Sequence, residues 1–565
     1  MNHEPGGRKI PHAMPQIKRF NLLILALLLS LLPWTSSAAA SETVVEELRR
    51  TIGVLTRAPA MVLHCEQLHS GKDLLVYYEE RNFQPLWVTP KGANDLGAQL
   101  PFFLGNSRAH GLNPEDYHYS CVRSIIASIL ELERMNLPVN SRLLAELDIL
   151  MTDGFMVYAS HLSSGKVDPT RLYPQWLTEK SKANVLAGLD SLLEHRDLER
   201  TLKKFAPSHR EYWALIDAGK RMEETVAMGG WPAVPHGTML RRGESDPRIP
   251  VLRERLQVSG ELKAQHVQKG NAYDEALYAA VKRFQRRHGL QVDGVVGPQT
   301  FSALNMSAEE RHQQILLNLE RWRWLPHQWD DRYILVNTAA FHLDAWKDQR
   351  KALSMRVIVG KDYQETPDFS EKMTYLEFNP YWNVPRSIAV REYLPRLKAN
   401  PGFARENNFE LIQGRGRDAR VIDPWSVDWE TVTPGNFRWL MRQTPGPWNA
   451  LGRVKFMFPN QFNVYLHDTP QRHLFHRHQR AFSHGCIRIE KPLELARLLL
   501  EDNPSWTMER IESVIASGNR RVVTLPQPWM VHIYYWTAWV DDEGKVQFRT
   551  DLYDRDGAVW RALKG

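Results

Sequence analysis

The hexapeptide Ser483-His484-Gly485-Cys486-Ile487-Arg488 constrains this 565-residue chain more than any other stretch, because its chemistry works only if the fold assembles partners around it. No cysteine other than Cys486 follows Cys121, and a second histidine, His467, lies 19 positions upstream. A thiol is a poor nucleophile until it becomes a thiolate, and a neighbouring imidazole can take its proton. A glycine just before the cysteine lets a reacting carbonyl approach the main chain, where the N–H groups of Gly485 and Cys486 are placed to receive a developing oxyanion. The pattern points to acyl transfer on a cysteine, and it requires a fold that sets residues 467 and 486 side by side.

The surrounding texture supplies such a fold. From Arg332 onward the chain reads as strands: Tyr333 to Asn337 and Met355 to Gly360 are rich in β-branched residues and end in turn formers. Tyr375 to Val384, Val454 to Phe458 and Phe462 to Leu466 continue the run, and Ile487 and Ile489 alternate with Arg488 as on a short strand. Pro492 suits the first turn of a helix from Leu493 to Leu500. The cysteine is therefore expected at the edge of a β structure with a helix packed behind it. Strands are also expected at Met530 to Val540 and Val546 to Tyr553. Between Arg391 and Leu451 the strand pattern lapses into a Gly-, Pro- and Asn-rich stretch holding Trp425, Trp429, Trp439 and Trp448. About 60 residues with four tryptophans read as an ordered flap or as a small satellite core.

The N-terminal part differs. Val44 to about Thr238 looks helical, with Leu143, Leu147, Leu150, Met151, Phe155 and Tyr158 at the spacing of an amphipathic helix, and similar patterns at Val44 to Ile52 and Leu186 to Phe205. His64, His69 and His110 are scattered, so this region reads as scaffold. A Gly/Pro-rich break from Gly229 to Gly243 leads to a compact module at Asp246 to Asn305. There Asp274 can cap a helix striped by Leu277, Val281, Phe284 and His288 and stopped by Gly289.

Lys18 and Arg19, the apolar stretch Phe20 to Leu32 and the small residues Ala38-Ala39-Ala40 describe a secretory signal peptide, with the mature chain starting near Ser41. The apolar stretch is short for a membrane span, so an uncleaved inner-membrane anchor is the lesser reading. A net charge of +7 is modest, nucleic acid does not suit an exported chain, and a polyanionic envelope polymer does. In an oxidising compartment Cys65 and Cys121 either pair or stay as two buried thiols, and Cys486 remains as the thiol to be used.

Two stretches carry family resemblances. Ala280-Val281-Lys282-Arg283-Phe284-Gln285, His288-Gly289-Leu290 and Asp293-Gly294-Val295-Val296-Gly297 with Thr300 resemble the three-helix peptidoglycan-binding domain of cell-wall enzymes. Tyr465-Leu466-His467-Asp468-Thr469 followed by the hexapeptide resembles the L,D-transpeptidase family. Arg321 to Pro326 and Asn379 to Pro385 fit its large Gram-negative periplasmic members. The expected architecture is a multidomain α+β chain: signal peptide 1–40, helical scaffold 41–240, peptidoglycan-binding module 246–305, mostly-β catalytic domain 332–525 with an inserted lid at 391–451, and a C-terminal β extension 526–565. The resemblance implies that Cys486 is the nucleophile, His467 the general base and acid, Gly485 an oxyanion donor through its backbone, His484 a supporting group and Ser483 an orienting one. Arg488 and Tyr465 would meet the substrate. It further implies 3→3 cross-linking of peptidoglycan tetrapeptide stems, as donor and acceptor, without cofactor or metal, and a thiol open to carbapenems. Other cell-wall synthases are possible partners. An L,D-carboxypeptidase or endopeptidase on the same stems, or an idle wall-binding scaffold, are the alternatives. The arginines and histidines of Gln471 to Arg480, with no acid among them, suggest a cationic rim that lowers the Cys486 pKa.

Overall fold

The computed structural model describes residues 37–55, 61–64, 66–173, 176, 183–263, 265, 270–414 and 416–565, with side chains from residue 43 onward. The signal segment lies mostly outside these residues, as does Cys65, so the question of its pairing with Cys121 falls outside them too. Among the described residues no helix is long and apolar enough to cross a membrane.

The helical domain is built around one helix, Ser141–Ser164, started by the Asn140 side chain accepting from the Arg142 N–H. Its apolar stripe is buried, and it also buries three acids, Glu146, Asp148 and Asp153. Asp148 accepts from the Tyr78 hydroxyl at 2.6 Å and from the Trp87 N–H at 2.7 Å, which ties the preceding loop to the helix. The expected helix over Leu186 to Phe205 is two, Val185–His195 and Leu198–Phe205, broken where Arg196 takes a left-handed conformation.

This domain does not end at residue 240. Helix Ala308–Arg323, opened by a Ser307/Glu310 capping box, packs against helix Arg210–Ala227 and contributes Ile315, Leu319 and Trp322 to the same core. The small module is thus inserted into the helical domain rather than following it. The lock at this junction is Glu320 with Arg323, both fully buried and 2.5 Å apart. Arg323 also donates to the His110 carbonyl, while Glu320 accepts from the Val167 N–H. The module itself has three helices, Ile249–Val258, Glu275–Arg287 and Pro298–Leu304, around Leu252, Leu277, Val281, Phe284 and Phe301. Asp274 caps the second by accepting from the Leu277 N–H at 2.8 Å.

The β domain's sheet has nine strands: β1 Arg332–Asn337, β2 His342–Lys347, β3 Arg350–Gly360, β4 Phe369–Phe378, β5 Val454–Met457, β6 Leu466–His467, β7 Ala481–Ser483, β8 Ile487–Ile489 and β9 Arg521–Tyr534. The order is β7-β3-β8-β6-β5-β4-β9-β1-β2, and β2 also pairs with β3, so the sheet closes on itself. Its inward residues, among them Val357, Leu376, Phe456, Leu466, Ile487 and Val531, form one core backed by helix Pro492–Leu499.

Two expected boundaries are corrected. Strand β9 continues past residue 525, with a register shift between Thr524 and Trp529, and from Trp529 onward it pairs with β4 and, from Met530, with β1, so 529–534 belong to the barrel and not to an extension. The remaining tail is a short hairpin, Ala538–Val540 with Val546–Phe548, and a helix, Asp556–Lys564, which docks on the helical domain through Arg321–Asp556 at 2.6 Å. Val546 to Tyr553 is strand only as far as Phe548, and the Tyr553 hydroxyl donates to the Gly360 carbonyl. The insertion begins nearer residue 382 than 391: Trp382–Asn383 is an edge strand of its own four-stranded sheet, whose core includes Val384, Leu411, Trp429 and Met441.

Replacing Glu320 by Ala leaves the Arg323 guanidinium buried and unpaired, so urea unfolding should show a loss of about 3–5 kcal/mol. A loss under about 1 kcal/mol would mean the pair does not lock the junction.

Candidate active site

Strands β6 and β8 are neighbours and run parallel, with Leu466 opposite Ile487 and His467 opposite Arg488. Side chains alternate across a strand, so burying Leu466 and Ile487 in the barrel sends Tyr465, His467, Cys486 and Arg488 to the other face. Strand β5 adds a third member, since Lys455 stands opposite His467. The face therefore holds one row of Lys455, His467 and Arg488 and a second row, two residues along, that includes Tyr465 and Cys486. The Tyr465 and His467 rings are 5.7 Å apart, and the Lys455 ammonium lies 3.9 Å from the centre of the Tyr465 ring.

The turn carrying Cys486 is fixed from within. The Ser483 hydroxyl, buried, donates to the Cys486 carbonyl at 2.6 Å and accepts from the Gly485 N–H at 3.1 Å. Gly485 takes φ +110, a conformation side-chain-bearing residues avoid. Its carbonyl accepts from the Thr366 hydroxyl at 2.9 Å, and that hydroxyl in turn accepts from the Gly360 N–H. The Gly485 N–H is thus engaged by Ser483, whereas the Cys486 N–H has no hydrogen-bond partner among the described residues.

His467 is buried, and its Nδ1–H donates to the Asp468 carbonyl at 2.6 Å. That bond fixes the tautomer and leaves Nε2 as the acceptor. Burial, aided by the Arg488 charge, lowers its pKa to about 3, so it is neutral at physiological pH. The Cys486 thiol is half-buried and lies 3.7 Å from the Asn463 carbonyl. Burial pushes its pKa up, against the opposing pull of Tyr465, Lys455 and Arg488.

The cationic rim is corrected by the same geometry. Arg480 donates to the carbonyls of Val357 and Phe341 and covers the Phe341 ring, which makes it a structural brace. Arg472 is held by Asp468, which Arg453 also grips at 2.7 Å, and by the Glu490 carbonyl. The positive groups acting on the thiol are Lys455 and Arg488, and the net result is a raised pKa, not a lowered one. Arg488 spends one amino group on the Gln471 side chain at 2.6 Å. His484 bonds Glu392 of the insertion at 2.5 Å. Sequence reading did not single out Thr366 or Lys455. Lys455 was detectable from strand alternation, two residues before Met457 in β5, whereas Thr366 sits in a loop with no local signal.

Three segments match family models: 72–218 a "Scaffold domain", 245–304 a "Putative peptidoglycan binding domain" and 331–512 an "L,D-transpeptidase catalytic domain". The barrel that carries Cys486 is thus an L,D-transpeptidase domain. Residues 331–512 are what carries the likeness to the L,D-transpeptidase family. A relative from Haemophilus influenzae named "Putative L,D-transpeptidase" is 36% identical over 247 residues, 44% of this chain and 49% of its own length. The chain therefore matches about half the length of that relative. Among solved structures, similarity is found to the Ldtfm–avibactam carbamoyl enzyme, at 13% identity over 37% of this chain and 51% of that one, with a TM-score of 0.17. It is also found to L,D-transpeptidase residues 123–326 from Xylanimonas cellulosilytica, at 16% identity over 53% and 99%, with a TM-score of 0.16. Superpositions this slight carry no structural argument.

With the thiol pKa raised and the imidazole pKa near 3, the reactive thiolate is a minor species at neutral pH. Alkylation of Cys486 by iodoacetamide should therefore rise steadily with pH and reach its midpoint above about 8.5, the ordinary thiol value. A rate already level between pH 6 and 8 would show a preformed thiolate instead.

Proposed function

We propose that this chain is an exported, periplasmic L,D-transpeptidase that forms 3→3 cross-links between peptidoglycan stems through a thioester on Cys486. The observation that carries the proposal is the shared face of parallel strands β6 and β8, which holds Cys486 and a neutral His467 on the same side. The donor's scissile carbonyl lies between its third, diaminopimelate residue and the terminal D-alanine.

As the sulfur attacks that carbonyl, its proton passes to His467 Nε2, and negative charge gathers on the carbonyl oxygen beside the Cys486 N–H. The C–N bond then breaks, and His467 returns the proton to the departing D-alanine amine. The side-chain amine of a second stem attacks the thioester, His467 takes that amine's proton, and the sulfur leaves as thiolate and is reprotonated. Tyr465 lines the path, Ser483 and Thr366 hold the turn still, and the module matched as peptidoglycan-binding anchors the chain to the polymer.

The insertion is proposed as the cover that keeps water from the thioester. Support comes from the His484–Glu392 bond, which joins it to the residue two before Cys486. Trp429 and Trp439 serve the insertion's own core, leaving Trp425 and Trp448 as its exposed aromatic surface.

Cys486→Ala should abolish the covalent adduct with a carbapenem, read as an intact-mass shift, while thermal unfolding stays that of the parent. An adduct that persists would sink the assignment. His467→Ala should slow single-turnover acylation roughly 10²–10⁴-fold, and His484→Ala much less; the reverse ranking would exchange their roles. The paired variant Glu392→Gln, His484→Ala should move muropeptide products from 3→3 dimers towards tripeptides. An unchanged ratio by mass spectrometry would remove the covering role.

A further inference from the structure

The face around Cys486 holds a cation that the reaction as described leaves unused. Lys455 projects from β5 opposite His467, and its ammonium lies over the Tyr465 ring at 3.9 Å. It makes no hydrogen bond or ion pair among the described residues, although Glu377 stands next to it on β4. That carboxylate is engaged by Arg520. The other cation of the row is partly spent: Arg488 gives an amino group to Gln471, and its Nε is buried without a partner. A half-buried ammonium that has lost water and gained a ring face and a carboxylate already shared with Arg520 has unfilled demand for an anion.

We infer that Lys455 is the receptor for the C-terminal carboxylate of the donor peptide, a specificity residue for chains that end one residue beyond the attacked carbonyl. This rests on the transpeptidase reading and deepens it. Strands lie about 4.8 Å apart, so the Cα atoms of β5 and β8 are separated by about 10 Å. A lysine spans much of that interval, and one residue of extended peptide, about 3.5 Å, covers the rest. A donor whose reacting carbonyl meets Cys486 therefore brings its terminal carboxylate toward Lys455 if it runs across β6 past Tyr465. The Tyr465 ring steers the ammonium from beneath. Stems that continue beyond the fourth residue, or end in a neutral amide, would meet the ammonium with nothing to neutralise it.

The test compares two donors, a tetrapeptide stem ending in a free carboxylate and the same stem ending in an amide, on the full chain. The readouts are KM and kcat for single-turnover acylation and the intact mass at Cys486. The parent should prefer the free acid, chiefly in KM, by roughly tenfold to a hundredfold, the scale of a charge-assisted hydrogen bond. In Lys455→Met the ratio of the two KM values should fall towards one, and Lys455→Arg should restore most of it. Using a ratio cancels any general loss through a changed thiol pKa or a weakened fold. A parent that prefers the acid and a Lys455→Met variant that keeps the preference in full would overturn the assignment while leaving the transpeptidase reading intact. A parent that forms no acyl-enzyme with either stem would overturn both.

Discussion

Everything at the site depends on the register between two short parallel strands. Leu466 must face Ile487 inside the barrel, because a slip of one residue would turn both outward and drive His467 and Arg488 into an apolar core. The hydrophobic demand of the core thus places the polar pair. Neither strand is long enough to hold that register alone, as β6 has two residues and β8 three. The register is set by what flanks them, β5 on one side and β3 on the other, and by the Ile487 N–H donating to the Tyr465 carbonyl at the strand start.

The turn before Cys486 depends on a second set of contacts that reach much farther. Ser483 closes it locally, and Thr366 pins the Gly485 carbonyl. Thr366 is in turn held within a loop where Tyr553, from the tail, donates to the Gly360 carbonyl. Tyr553 lies a few residues before the helix that docks on the helical domain through Asp556 and Arg321. The path from the Cys486 turn to the helical scaffold is therefore made of hydrogen bonds and one buried ion pair. This explains why the tail returns across the catalytic domain before ending on the scaffold, and why the scaffold's last helix, Ala308–Arg323, is delivered only after the small module.

The parts of this arrangement that were legible in sequence are those with a short period. The alternation in Ile487-Arg488-Ile489, the stripe of Ser141–Ser164 and the cap at Asp274 are local statements, and each matches a local element. The parts that were not legible depend on pairing across long separations. Residues 529–534 look like part of a separate tail until β9 is seen to fill the gap between β1 and β4, nearly 200 residues upstream. Helix Ala308–Arg323 carries no sign in its own sequence that it returns to Arg210–Ala227. The rim of arginines misled for a related reason. Counting acids within Gln471 to Arg480 misses Asp468 and the carbonyls of Val357, Phe341 and Glu490, which take up Arg472 and Arg480.

Burial at the site has a chemical consequence. It disfavours charge on both members of the pair, raising the thiol pKa and lowering that of the imidazole, so the resting state is a neutral thiol beside a neutral base. A standing thiolate in an oxidising compartment would be the species most readily oxidised. A site that stays neutral until a substrate arrives avoids that exposure, at the cost of needing charge stabilisation during the reaction. Groups suited to it are already on the face: the unpartnered Cys486 N–H and the Arg488 guanidinium. Two cations beside a neutral thiol are poorly compensated before substrate binds. Burial keeps the thiol neutral while Lys455 and Arg488 pull the other way, and the anionic peptide end proposed above would be drawn to the same cations.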